Sequence, residues 1–110
     1  MLENFGTGWK NAFEKRLDTI RNIFPEVRIK SINRYFGMLR LDFIAPSDDI
    51  QYVVDCVAYR IERESAKKCE MCGKNGVRRT GDLRLPEAKC LCVNCYAVEL
   101  DKYLTENKNN

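Results

Sequence analysis

The sequence predicts an α+β fold built around a cysteine-held metal, and three observations carry that expectation. Two stretches space their apolar residues as helices do, one on each side of a segment that alternates apolar with charged residues. Four of the six cysteines form two Cys-x-x-Cys pairs. The predicted order is an N-terminal helix, a β-hairpin, a second helix running into a four-cysteine zinc-ribbon-like hairpin, and a short C-terminal helix. We expect a single domain over 1–110. Its α/β core would span 1–66, the ribbon-like segment 67–96, and a short helix with a frayed tail 97–110.

The first helix is expected from Gly8 to Phe24, with Trp9, Phe13, Leu17, Ile20 and Phe24 on one stripe. Thr7 is a candidate cap and Pro25 ends the helix. In the hairpin, Val27 and Ile29 alternate with Arg28 and Lys30, and Leu39, Leu41 and Phe43 with Arg40 and Asp42. Its turn is expected to be longer than two residues and to display Tyr35 and Phe36. Ser47, followed by Asp48 and Asp49, starts the second helix: a hydroxyl cap with acids in the first turn, where the helix dipole favours them. Ile50, Val53, Val54, Val57 and Ile61 form its stripe, and Cys56 reads as a small buried hydrophobe. Tyr96, Leu100, Tyr103 and Leu104 mark the last helix.

The cysteines carry the chemistry. Cys69 and Cys72 are followed 19 residues later by Cys92 and Cys95. Two residues between thiolates let a tight turn aim both sulfurs at one ion, about 2.3 Å from each. Gly73 supplies the permissive backbone after the first pair. Val77-Arg78-Arg79 and Leu83-Arg84-Leu85 flank Thr80-Gly81-Asp82, a hairpin that would return the second knuckle to the first. Cys90 breaks the Cys-x-x-Cys symmetry and reads as a packed thiol beside the site, its rival role being to replace Cys92 as ligand. Four sulfur ligands close the coordination sphere, which suits one structural Zn2+ rather than a catalytic one, with iron as the other metal such a site accepts.

Composition narrows the function. The chain has no histidine, no glycine-rich phosphate loop and no apolar run long enough to span a membrane. A non-enzymatic role without a small-molecule substrate or membrane partner is therefore expected. Paired cysteines without a signal peptide point to the cytoplasm. The formal charge is +3, which four thiolates on one divalent zinc would reduce to about +1. That balance favours a protein partner over tight nucleic-acid binding. The alternative is a nucleic-acid-binding ribbon, with Lys74, Arg78, Arg79 and Arg84 on phosphates. Tyr35 and Phe36 are the candidate protein contacts.

The pattern resembles a widespread set of small bacterial and bacteriophage proteins. They carry Gly-Trp near the N-terminus, a lysine-rich hairpin ending in Phe-Gly-x-Leu-Arg-Phe, a helix into Cys-x-x-Cys-Gly, and a later Leu-Cys-x-x-Cys or Leu-Cys-x-x-His. The matching residues are Gly8-Trp9, Ile29-Lys30, Phe36-Gly37-Met38-Leu39-Arg40-Leu41, Arg63-Glu64-Ser65, Cys69 to Gly73 and Leu91 to Cys95. Leu41 departs from the usual aromatic, and the segment from Gly81 to Lys89 lacks a tryptophan. The resemblance implies the fold, the metal, and Cys92 with Cys95 as ligands. It also implies a phage or mobile-element setting, in which the partner would be a host complex such as a CRISPR defence effector; it implies no activity.

Overall fold

A computed structural model describes residues 1–79 and 88–106, without the side chains of Arg78 and Arg79. The fold is α+β, in the predicted order. Helix α1 (Thr7–Ile23) leads to the antiparallel hairpin of β1 (Arg28–Tyr35) and β2 (Met38–Ile44). Helix α2 (Asp48–Ser65) then delivers the chain to the first cysteine pair. The short strands β3 (Val77–Arg79) and β4 (Lys89–Leu91) pair antiparallel, and α3 (Val93–Glu106) closes the described chain.

The predicted stripes form the core. Trp9, Phe13, Leu17 and Ile20 of α1 pack with Leu39, Leu41 and Phe43 of β2 and with Val54, Ala58 and Ile61 of α2. Phe24 is partly buried against the same cluster. At about 25 cal/mol per Å2 of apolar surface removed from water, burying each large side chain of this set contributes roughly 1.5–3 kcal/mol.

The stripe of α2 is narrower than predicted. Val53 is exposed, and Ala58 takes a core position instead. Cys56 is exposed rather than buried, on the side of the helix away from the Val54–Ala58–Ile61–Ser65 row. The reason lies in how α2 sits. It stands along the outer edge of β2, where its polar side chains complete the sheet. Ser65 Oγ accepts from the Leu39 N–H at 2.8 Å, and Glu62 Oε2 from the Leu41 N–H at 2.8 Å. Gln51 accepts from the Ala45 N–H and donates to the Phe43 carbonyl, both at 2.9 Å. Only part of the circumference is left for apolar contact.

The first hairpin's turn is shorter than expected. Tyr35 pairs directly with Met38, so Phe36 and Gly37 alone make the turn. Their φ angles are 48° and 82°, the left-handed values that a type I′ turn requires at both central positions. Tyr35 and Phe36 are exposed as predicted, their rings edge-to-face at 4.7 Å. Ser47 caps α2 as predicted, accepting from the Ile50 N–H at 3.3 Å.

Three expectations change further along. Gly6, not Thr7, is the N-cap of α1, and no side chain caps it. The strand paired with β3 is Lys89–Leu91, while Leu83-Arg84-Leu85 lies outside the described residues. The last helix starts at Val93, inside the second knuckle, and its run to Glu106 includes residues expected to fray. The tail from 107 to 110 lies outside the described residues.

Candidate metal centre

The first knuckle is a tight loop between α2 and β3. The Cys69 N–H donates to the Lys74 carbonyl at 2.6 Å, and the Gly73 N–H to the Cys69 carbonyl at 2.9 Å. Closing this loop puts Gly73 at φ 82°, where a side chain would strain the backbone. The second knuckle begins α3. The Cys95 N–H reaches the Cys92 sulfur at 3.4 Å, so Cys92 occupies the N-cap position with its sulfur where serine or aspartate oxygen usually sits. Negative charge on that thiolate is favoured by the positive end of the helix.

The β3–β4 pairing brings the knuckles together. The sulfurs of Cys69, Cys72, Cys92 and Cys95 all lie within 4.8 Å of one another, and those of Cys72 and Cys92 are 3.7 Å apart. A tetrahedron with bonds of about 2.3 Å has edges of about 3.8 Å, so the spacing fits one ion at the centre. A disulfide would hold two sulfurs at about 2.05 Å, and all six cysteines are free thiols. The four predicted ligands are thus the four brought together, and the donor set suits a soft or borderline metal.

The thiols are electrostatically unequal. Burial pushes Cys69 up, but N–H groups from Cys92, Cys72 and Met71 outweigh it and bring its pKa to about 7. The Cys95 N–H lowers Cys92 in the same way. For Cys72, the Lys74 N–H lowers the pKa, but burial and the neighbouring Cys69 and Cys92 thiols raise it overall. Cys95 is raised by burial and then by its three sulfur neighbours. Four thiols crowded together resist losing all their protons, and a divalent cation at the centre supplies the charge that displaces them.

Cys90 stays outside the cluster. It is fully buried in the core, and its S–H donates to the Ala66 carbonyl at 3.2 Å. It is therefore the packed thiol that the spacing predicts. Lys74 is exposed, beside Cys92, Val93 and Asn94 in a shallow groove. Strand β3 carries Arg78 and Arg79, and Arg84 lies outside the described residues.

Two participants were not legible from spacing. The first knuckle caps α1: the Gly8 and Trp9 N–H groups, which have no acceptor within their own helix, donate to the carbonyls of Met71 and Glu70 at 3.1 and 3.0 Å. Trp9 Nε1 donates to the Lys68 carbonyl at 2.9 Å. The approach is so close that a Cβ on Gly8 would lie 2.3 Å from the Gly73 nitrogen and 2.4 Å from the Cys69 oxygen.

The second participant is Glu70, inside the knuckle and 1% exposed. Its carboxylate accepts from Arg34 Nε at 2.9 Å, from Arg34 Nη2 at 2.5 Å and from the Gly6 N–H at 3.1 Å. The Glu70 N–H donates to the Cys90 carbonyl at 2.8 Å. One residue thereby ties the knuckle to α1, β1 and β4.

No described helix is long and apolar enough to cross a membrane. Comparison with protein families, with curated proteins and with solved structures gave no match, so the reading of this centre rests on its own residues.

Proposed function

We propose that the chain holds one structural Zn2+ through Cys69, Cys72, Cys92 and Cys95 and acts, without catalysis, by binding another protein. The metal's task is to fix a short polar segment against the core. Four sulfur ligands leave no open coordination position for a substrate or a reactive water. The partner we propose is a host complex in a phage or mobile-element setting, such as an anti-phage defence effector, which the chain would inhibit or modulate. That setting draws its support from the resemblance set out above.

The observation that carries the protein-binding reading is Phe36. It is 57% exposed at φ 48°. A left-handed backbone costs an ordinary side chain about 1–2 kcal/mol, and asparagine or glycine would occupy this turn position more cheaply. An exposed phenylalanine there incurs the strain without a core position in return. Strained positions of this kind are retained at binding and switch sites, and large exposed rings are effective interface anchors. Tyr35 beside it is 47% exposed, with the Arg40 guanidinium 5.1 Å from its ring centre.

Two experiments test the two halves. Native mass spectrometry with elemental analysis should find one zinc per chain in the wild type and none in Cys72→Ser. A metal-free, unchanged fold would refute the structural role. Affinity capture from a bacterial host lysate should yield a partner that Phe36→Asn loses, although the same substitution raises stability by about 1 kcal/mol. Retention of every captured partner by Phe36→Asn would refute the anchor.

A further inference from the structure

The two long edges of the first sheet are finished differently. On β2, the outward N–H groups of Leu39 and Leu41 are taken up by Ser65 and Glu62 of α2. Antiparallel pairing alternates between residues that bond each other and residues whose N–H and C=O turn outward. Leu41 faces Ile32 across the pair, so the Ile32 N–H and C=O turn out of the hairpin on the far side. Among the described residues, no hydrogen bond reaches either group. The strand itself reads RIKSINRY, with three cations and no acid. Arg34 is engaged by Glu70, while Arg28 and Lys30 are exposed.

Building on the protein-binding reading, we propose that the outer edge of β1 takes up an extended, acidic segment of the partner as a third strand. Backbone bonds to Ile32 would supply affinity, and Arg28 with Lys30 would select the charge. Basic side chains on an edge strand ordinarily repel chance pairing. A second copy of this chain does not answer them, because β1 carries no acid of its own. A strand with glutamate or aspartate on its exposed positions does. Pairing would also place the guest beside Tyr35 at the end of the strand, continuous with the exposed rings of the turn.

The test uses the full zinc-loaded chain and two synthetic probes, an eight-residue peptide alternating glutamate with valine and its lysine counterpart. Amide hydrogen exchange is followed at Ile32 by NMR. With the glutamate peptide at about nine times its dissociation constant, exchange at Ile32 should slow about tenfold. The lysine peptide should leave it unchanged. Arg28→Glu with Lys30→Glu, both at exposed positions, should reverse the preference. Equal effects of the two peptides, or no slowing at Ile32 with either, would overturn the proposal. A captured partner that binds the Arg28→Glu/Lys30→Glu chain undiminished, yet is lost with Phe36→Asn, would overturn the edge proposal alone and leave the protein-binding reading standing.

Discussion

Outside the four clustered cysteines, removing the Glu70 carboxylate should destabilise the molecule more than any other exchange of a polar side chain described above. In Glu70→Ala, Arg34 keeps its charge, at 19% side-chain exposure, and loses both of its bonds to the carboxylate, and the Gly6 N–H loses its acceptor. Breaking a buried pair by deleting one partner costs about 3–5 kcal/mol, and the partial exposure of Arg34 puts the expected value near about 3 kcal/mol. For a chain of this length that lowers the melting midpoint by roughly 13 °C. Thermal and urea unfolding followed by circular dichroism, at fixed excess zinc, measures it. The double variant Arg34→Met/Glu70→Met is the control. Replacing both members of a buried pair by apolar groups is often neutral, so it should regain most of the loss. A loss under about 0.5 kcal/mol in Glu70→Ala, the ordinary range for surface substitutions, would show that the network linking the knuckle to α1 and β1 contributes nothing.

Three further outcomes follow from the same contacts. Gly8→Ala should cost about 2–3 kcal/mol by overpacking backbone against backbone, measured by urea unfolding; a neutral result would mean that α1 does not dock as closely as described. Cys56→Ser should change neither stability beyond about 0.5 kcal/mol nor zinc content, and Cys90→Ser should keep one zinc per chain, both read by mass spectrometry and denaturation. The Arg16 hydrogen bond holds Glu64 below the ordinary carboxyl range. The stability it adds is therefore present above the unfolded value, near 4.5, and lost as pH falls through the lower folded value. Because Glu64 is half exposed, Arg16→Ala should remove at most about 0.5 kcal/mol at neutral pH and raise the Glu64 pKa in an NMR titration.

The helices and the four-cysteine cluster were legible because both are written in local spacing. Trp9, Phe13, Leu17 and Ile20 announce a helix by period alone, and Cys-x-x-Cys encodes its own turn. What escaped has no period. Glu70 and Arg34 are 36 residues apart, and nothing local marks either as the other's partner. The same holds for Gln51, Glu62 and Ser65, which read as polar helix positions and finish the edge of β2 instead. Cys56 was misplaced because the breadth of a helix stripe depends on what the helix leans against. The turn was misjudged because phenylalanine is an uncommon occupant of the left-handed region. The pairing of β3 with Lys89–Leu91 was not read because three residues are too few to show an alternation.

The chain's single tryptophan gives it a native optical gauge. Trp9 has no exposure to solvent, and its indole N–H is held by the carbonyl of Lys68, the residue before Cys69. Stripping the ion with a strong chelator should therefore shift the emission of Trp9 toward the red as that carbonyl withdraws and water enters. Metal occupancy could then be followed continuously, with no dye or label attached.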